Sequence, residues 1–230
     1  MKTLAIDTSG KSAGLAIVSD GRVLYELFTN TGLNHSVILL PEIDHALNVL
    51  NLDLADLDLL VATTGPGSFT GLRIGLSTLK GFALSYNKPL VGVSTLEALA
   101  WNIYSEDRII CPMLNGPMDE IYTALYRYHP LDGYERLLEE QITTIPKLMA
   151  HITGPVIFVG DGAVRWEGHL RDQLLESSIF APQYLNICRP SVIAGIGIKK
   201  YQDDLTEDMV SLKPTYLRAS EAEIKHPDHK

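Results

Sequence analysis

Short apolar segments alternate with longer amphipathic segments along the whole chain. The first three apolar segments lie close together and lack helical periodicity, which predicts strands over residues 2–7, 13–19 and 22–28. An Asp20-Gly21 pair separates the last two, and this pair is typical of a tight hairpin. Further along, the pattern predicts a helix over 35–50, a strand over 57–63, a helix over 71–86, a strand over 90–93 and a helix that Ser94 caps and that ends at about residue 104.

The second half of the chain repeats this order in a shorter form. Three strands, a fourth short strand and two helices are predicted over 108–114, 120–128, 134–142, 155–159, 161–175 and 190–201. A three-strand meander followed by alternating helices and strands indicates a mixed α/β lobe. We therefore predict two lobes, residues 1–104 and an abbreviated second lobe at 105–230, with a last helix that can return to the first lobe.

The charge pattern argues against a protein that binds nucleic acid by itself. The formal net charge is −9, whereas such binding needs clustered cations facing phosphate. No Lys or Arg occurs between Arg22 and Arg73, and this interval contains Glu26, Glu42, Asp44, Asp53, Asp56 and Asp58. Two interpretations stay open, a solvated acidic face and a surface that suits a basic protein partner.

Apolar runs and cysteines bear on the compartment. No run of about 18 apolar residues is present, so no membrane span is expected. The N-terminus enters a predicted strand at once, without the pattern of a signal peptide. Cys111 and Cys188 lack metal-binding spacing and are expected to be reduced. These features together predict a cytoplasmic protein.

The run GPGSFTGLRIG at residues 65–75 is the most informative motif. It lies between a predicted strand and a predicted helix, where backbone N–H groups suit an anion or closely docked backbone. Gly71 comes one residue too late for the dinucleotide-binding pattern, and no Lys-Ser or Lys-Thr follows it as in a Walker A loop. Ser68 is predicted to cap the next helix. The signature positions are Gly65, Gly67, Ser68, Phe69, Thr70, Gly71 and Arg73.

Other polar groups give weak evidence for a site. Asp7, Thr8 and Ser9 end the first strand and are candidates for contact with a nucleotide or anion, although a turn in which Asp7 caps local N–H groups is the favoured interpretation. His35 and His45 lie about 15 Å apart along a regular helix, so they cannot bind one metal ion. We expect His35 at a helix start or an interface and His45 to be exposed. No G-x-S-x-G motif indicates a hydrolase nucleophile.

The predicted helix over 35–50 has more apolar residues than one lobe requires. Nine of the fourteen residues from Val37 to Leu50 are apolar, whereas three or four per two turns cover a sheet. Pro41 lies inside this helix, which predicts a kink or an irregular first turn. Both this helix and the next are either buried within the lobe or, as we prefer, form a docking face. The predicted docking residues are His35, Leu39, Leu40, Ile43, Leu47, Gly71, Gly75 and Thr78.

The glycine run resembles the signature of the bacterial TsaB (YeaZ) family, and the similarity spans nearly the whole chain. Other matching segments are MKTLAIDTS at 1–9, PLVGVSTLEAL at 89–99, Gly160-Asp161-Gly162 and PTYLR at 214–218. The family usually has an Asp-Ala-Arg-type run before Glu-Val-Tyr, whereas Asn115-Gly116-Pro117-Met118 precedes Asp119-Glu120-Ile121-Tyr122 here. The resemblance implies an actin-like (ASKHA, RNase H-like) α/β fold with two lobes, the second abbreviated.

The resemblance also implies a function. It implies a non-catalytic subunit that dimerises with a metal-bearing paralogue, TsaD, and supports formation of N6-threonylcarbamoyladenosine next to the tRNA anticodon. The ATPase TsaE would bind the pair, and tRNA would bind only through the complex. Alone, the chain would form a homodimer. ATP and a metal are expected on the partners, and no cofactor on this chain. One alternative is an actin-like ATPase or phosphotransferase that uses Asp7, Thr8 and the glycine run around a nucleotide, with Asp161 as the candidate for a further acidic residue. A peptidase is the least favoured alternative.

Overall fold

The chain divides into two compact units. The computed structural model describes residues 1–174, 177–206, 209 and 211–217. Unit 1 contains Met1–Ala98 and Cys188–Thr215, and unit 2 contains Leu99–Ile187. The first change of unit thus falls at Leu99, and the chain returns to unit 1 at Cys188. Leu175 and Arg218, which belong to a predicted helix and a predicted motif, lie outside the described residues.

The described chain contains strands and helices in the following order. The strands are β1 (Lys2–Asp7), β2 (Ala13–Ser19), β3 (Arg22–Thr29), β4 (Leu59–Gly65), β5 (Leu90–Ser94), β6 (Ile109–Asn115), β7 (Glu120–His129), β8 (Gly133–Thr144), β9 (Val156–Val159) and β10 (Ser178–Phe180). The α-helices are α1 (His35–Leu50), α2 (Phe69–Tyr86), α3 (Thr95–Ala100), α4 (Ile145–Met149), α5 (Asp161–Leu174) and α6 (Pro190–Gln202).

Both units have the same sheet topology. Unit 1 has the strand order β3-β2-β1-β4-β5, and unit 2 has the order β8-β7-β6-β9-β10. In each sheet the first three strands in the chain pair antiparallel, and the last two extend the sheet in parallel pairs. The predicted α/β fold with a shorter second copy is confirmed. The second sheet is abbreviated at its edge, because β10 has only three residues.

Helices cover both faces of the sheet in unit 1. Side chains alternate along a strand, and Leu4 and Ile6 of β1 join a core cluster with residues of α1 and α2. The opposite face carries α6, whose Gly197 lies so close to Val61 that a Cβ there would come within 2.5 Å of that side chain. The sheet of unit 1 is therefore buried between α1 and α2 on one side and α6 on the other.

The core of unit 2 is built from the same kinds of contact. Ile121 and Leu125 of β7 join Phe158 of β9 and Leu170 of α5 in one buried cluster. The helix α5 packs against β6, β9 and β10, and α4 packs against β8. Each unit thus has an apolar core of its own, as expected for a duplicated α/β lobe.

Glu26 of β3 joins the sheet of unit 1 to the start of α6. Its Oε1 accepts hydrogen bonds from the backbone N–H of Ser191 at 2.9 Å and from the Ser191 hydroxyl at 2.5 Å, and its Oε2 accepts one from Arg189 Nη2 at 2.9 Å. The N-cap residue of α6 is Arg189, and its side chain does not cap the helix. Burial raises the pKa of Glu26, but these hydrogen bonds outweigh burial and lower the pKa overall.

Replacing Glu26 by Gln is expected to lower the free energy of unfolding by about 1–2 kcal/mol at pH 7, because a charged acceptor is lost at a helix start. The folded pKa of Glu26 lies below its ordinary value of 4.5. Its contribution is therefore complete above that pH and is lost as pH falls through the folded pKa. Urea unfolding at pH 7 and at acid pH measures both effects. The control Glu139→Gln, at a side chain that is 85% exposed, should change stability by less than about 0.5 kcal/mol.

Candidate partner-docking surface and the glycine loop

The glycine run folds as a loop that docks against the end of β1. The backbone N–H of Ser68 donates to Ser9 O at 2.6 Å. A Cβ at Gly67 would overlap the Ser9 carbonyl oxygen, closer than real side chains tolerate. Gly65 has φ 113°, a conformation that favours glycine. We predicted that this loop suits either an anion or closely docked backbone. The observed contacts with Ser9 are those of closely docked backbone.

The first turn of α2 is pinned to Thr8. Its hydroxyl donates to Gly71 O at 2.8 Å, and the N–H of Gly71 donates to Ser68 Oγ at 3.2 Å. The predicted N-cap role of Ser68 is thereby confirmed. A Cβ at Gly71 or at Gly75 would collide with Thr8. We expected these glycines and Thr78 to admit another helix, but Gly71 and Gly75 instead let α2 approach β1.

Asp7 is buried and hydrogen bonded within unit 1. Its Oδ1 accepts from the N–H of Ser9 at 3.0 Å and from Thr63 Oγ1 at 2.7 Å. Burial raises the pKa of Asp7 above its ordinary value of 3.8, although the hydrogen bonds oppose the rise. Asp7 therefore caps the local turn, as in the favoured interpretation. Ser9 N–H and the Thr8 hydroxyl are bonded inside the chain, which weakens the case for a nucleotide contact at these residues.

Replacing Asp7 by Asn is expected to preserve the fold, because the amide oxygen can accept the same two hydrogen bonds. Since the folded pKa of Asp7 is raised, the wild-type chain loses stability as pH rises from 3.8 through the folded pKa. The asparagine variant has no such loss, so at pH 7 its stability should equal or exceed that of the wild-type chain. Urea unfolding from pH 3 to 8 tests this. A loss of stability at pH 7 would show that the carboxylate is required.

The second carboxylate of the nucleotide alternative is also engaged locally. Asp161 Oδ1 accepts from the N–H of Asn115 at 3.0 Å, and its Oδ2 accepts from Asn115 Nδ2 at 2.9 Å. The neighbouring loop, which lacks the family's Asp-Ala-Arg-type run, is held from α5, because Arg165 Nη2 donates to Met118 O at 2.7 Å. Asp161 and Asn115 thus fasten the start of α5 to the end of β6 within unit 2.

The apolar side chains of α1 divide into a buried group and an exposed group. Leu39, Ile43 and Leu47 are between 2% and 7% exposed and belong to the core of unit 1. The prediction that these three side chains form a partner surface is therefore corrected. Leu40 is 51% exposed and Val37 is 60% exposed. These two residues are three apart and share a helix face, so they form the second apolar stripe that the composition predicted.

His35 stands at the first position of α1, as expected for a helix-start residue. Its Nε2 hydrogen bonds with Gly10 O at 2.9 Å, and its ring borders the place that a Cβ on Gly71 would occupy. The starts of α1 and α2 are therefore neighbours. His45 is exposed, as predicted, and its ring meets Tyr25 edge-on with ring centroids 6.3 Å apart.

The exposed apolar residues at these helix starts are Val37, Leu40 and Phe69. We call them the docking patch, as the candidate surface for a partner. Phe69 is 37% exposed, and Arg73 stacks its guanidinium 3.7 Å from the ring centroid. Val37 was among the apolar residues counted in the sequence but was not predicted as a docking residue. Its spacing of three from Leu40 was the signal that could have identified it. Thr70, within the signature, is also exposed.

Most carboxylates between Arg22 and Arg73 accept hydrogen bonds from other residues of unit 1. Asp53 and Asp56 form a reciprocal capping box around the short turn Leu54–Asp56. Asp58 Oδ2 accepts from the N–H of Lys2 at 2.7 Å, and Glu26 binds the start of α6. These carboxylates therefore stabilise turns and helix ends. Asp44 accepts from Asn48 Nδ2 at 3.0 Å on the surface of α1. A solvated face and a surface for a basic partner both stay open as interpretations of Glu42 and Asp44.

Neither a metal-binding cluster nor a spanning helix is found in the described part of the chain. Across residues 1–174, 177–206, 209 and 211–217, no three His, Cys, Asp or Glu side chains are grouped so that they could hold a metal ion. Over the same residues, no helix has the length and apolar character needed to cross a membrane. Cys111 and Cys188 are both buried, and neither forms a disulfide.

Two compact units with the same five-stranded sheet topology define the class as a two-lobed actin-like α/β protein. The crystal structure of YeaZ from Pseudomonas aeruginosa shares this fold, with a TM-score of 0.78 and 21% identity over 94% of this chain and 99% of that one. Component A of (R)-2-hydroxyglutaryl-CoA dehydratase from Acidaminococcus fermentans matches more distantly, with a TM-score of 0.52 and 13% identity over 88% of this chain and 99% of that one. At these identities the similarity concerns the fold alone.

Sequence similarity identifies the family. The tRNA threonylcarbamoyladenosine biosynthesis protein TsaB of Bacillus subtilis is 33% identical over 98% of this chain and 97% of its own length. The TsaB protein of Escherichia coli is 31% identical over 72% of this chain and 74% of its own length. The family model TsaD, tRNA N6-adenosine threonylcarbamoyltransferase, matches residues 29–226. The chain belongs to the TsaB family, within the wider group that this model describes.

Proposed function

We propose that this chain acts in the biosynthesis of N6-threonylcarbamoyladenosine in tRNA, as a subunit that binds and supports a TsaD-type transferase. Family membership supports the proposed reaction, because relatives that align with nearly the whole chain are named for this pathway. The docking patch supports the mode of action. Exposed apolar side chains at adjacent helix starts are costly in water and suit a protein partner.

The chemistry of the described residues favours a supporting role over a catalytic one. Asp7, Thr8, Ser9 and Asp161 form hydrogen bonds inside their own units. Transfer of a threonylcarbamoyl group requires a bound acyl donor and stabilisation of developing charge. We propose that the partner supplies both, together with a metal and ATP, and that this chain holds the partner in its active arrangement.

Similarity between the two protein classes supports the proposed partner. A tRNA N6-adenosine threonylcarbamoyltransferase of Anaeromyxobacter is 32% identical over 60% of this chain and 46% of its own length. Two related lobes with matching helices can pair about a pseudo-twofold axis, as copies of one chain do in a symmetric dimer. We therefore propose a TsaD-type heterodimer, a homodimer when the chain is alone, and binding of a TsaE-type ATPase to the heterodimer.

Size-exclusion chromatography with light scattering tests the pairing. The purified chain alone should elute as a homodimer at high concentration. On mixing with a TsaD-type transferase, the measured mass should become that of one copy of each protein. The homodimer and the heterodimer would use the same docking patch of this chain, so they cannot form at once. A strict monomer that does not co-elute with the transferase would contradict the proposed subunit role.

A further inference from the structure

Four aromatic rings of unit 2 form a contiguous cluster. Trp101 stacks on Tyr134 with ring centroids 4.8 Å apart. Tyr128 lies 5.1 Å from Tyr134 and 5.1 Å from Tyr104. The Tyr134 hydroxyl donates to Ile103 O at 2.8 Å, which orients this ring. We call these four residues the aromatic cluster.

The aromatic cluster reaches the surface through Tyr104. This side chain is 72% exposed, whereas Trp101, Tyr128 and Tyr134 are partly buried. Burial and the neighbouring tyrosines raise the pKa of Tyr134, so its ring stays neutral at physiological pH. The Tyr104 ring packs edge-on against Tyr128 and Tyr134 and presents the rest of its surface to solvent.

A neighbouring pair in the same sheet has a guanidinium beside a tyrosine ring. Tyr126 and Arg136 are cross-strand partners in β7 and β8, next to the partners Tyr128 and Tyr134 on the same face. Arg136 places its guanidinium 5.6 Å from the Tyr126 centroid. Within the described residues, no Lys or Arg occupies the corresponding place over the aromatic cluster.

The charges near the aromatic cluster favour a cation. Glu106 and Asp107 follow Tyr104 in the chain, and Asp132 lies in the turn that joins Tyr128 to Tyr134; all three are exposed. The nearest cations in the chain are Arg108, which is half-buried, and Arg127, which points to the opposite face of β7 from Tyr128 because side chains alternate along a strand. Carboxylates beside a π face strengthen the attraction of a guanidinium and repel phosphate. The formal net charge of −9 acts in the same direction. A stacked nucleobase of RNA is therefore the less favoured occupant.

We propose that the aromatic cluster binds an arginine side chain on a basic segment of a partner protein, separately from the docking patch in unit 1. The guanidinium would lie against Tyr104 and Tyr128, with Glu106, Asp107 or Asp132 as its counter-charge. Because the contact is exposed, its strength should fall with ionic strength.

Nuclear magnetic resonance of the full chain tests this contact. The probe is a blocked pentapeptide of three glycines and two arginines, at low salt, and the signals followed are the ring resonances of Tyr104 and Tyr128. Titration should shift these resonances. A peptide with citrulline in place of arginine keeps the shape without the charge and should bind at least about five-fold more weakly, as expected for an exposed cation–π contact.

Two tyrosine variants of equal exposure form the matched pair. Tyr104→Ala should weaken the arginine peptide about five-fold, whereas Tyr184→Ala, at a tyrosine of unit 2 that is also 72% exposed, should leave binding unchanged. Thermal unfolding checks that both variants stay folded. Equal binding of the citrulline peptide, or equal losses in both variants, would overturn the proposal. Ring shifts caused by oligoadenylate but not by the arginine peptide would assign the cluster to nucleobases instead.

Discussion

Replacing Gly71 by Ala is expected to destabilise unit 1 by about 2–3 kcal/mol, in the upper part of the range of about 1–3 kcal/mol for overpacking. The added methyl would overlap the carbonyl oxygen of Thr8. Thr8 directly follows the central strand β1, and its backbone cannot move aside as the end of a flexible side chain can. The hydrogen bond from the Thr8 hydroxyl to Gly71 O would also be strained. The melting temperature should fall by about 5–10 °C for a chain of this size.

Gly81 provides a control in the same helix. A Cβ at Gly81 would meet no atom within 4 Å, and alanine favours helix by about 1 kcal/mol over glycine. Gly81→Ala should therefore keep or raise the melting temperature. Differential scanning calorimetry of the two variants compares them directly. If Gly71→Ala is as stable as Gly81→Ala, the close docking of α2 on β1 is wrong.

Replacing Leu40 by Asp is expected to abolish pairing with the transferase while the lobe stays folded. Leu40 is 51% exposed in the isolated chain, so a charge there costs little without a partner. In the interface the carboxylate would be buried without a counter-charge, which costs several kcal/mol. The affinity for a TsaD-type partner should fall at least about 100-fold, since each 1.4 kcal/mol changes affinity tenfold. Isothermal titration calorimetry measures the loss.

Two further variants separate docking from folding. Val49 is 55% exposed on the same helix, but nine residues from Leu40, which places it on the opposite side at 100° per residue. Val49→Asp should therefore pair normally. Leu39→Asp should unfold unit 1, because Leu39 is 2% exposed. Weakening of the complex by Val49→Asp to the same extent as by Leu40→Asp would contradict the assignment of the docking patch.

Local patterns were sufficient to predict most elements of the fold. The hairpin of β2 and β3 follows from Asp20-Gly21, and α6 was predicted within one or two residues. α3 ends at Ala100 rather than near residue 104. α4 and β10 were missed, since they have five and three residues and leave no periodicity to detect.

The site was less predictable, because it depends on contacts between distant residues. An apolar helix with two stripes does not reveal which stripe faces its own sheet, so Leu39 and Ile43 were assigned to the surface. The partner of Gly71 is Thr8, 63 residues earlier in the chain, and only the folded chain brings them together. The N-cap at Ser68 was predictable because its partner lies within the same turn.

Reconstituted tRNA modification tests the proposed function most directly. The assay contains a TsaD-type transferase, a TsaE-type ATPase, the enzyme that supplies threonylcarbamoyl-adenylate, and tRNA, with or without this chain. We expect repeated turnover only when the chain is present, and none when the Leu40→Asp variant replaces it. Modification at full rate over many turnovers without this chain would contradict its role as a required subunit.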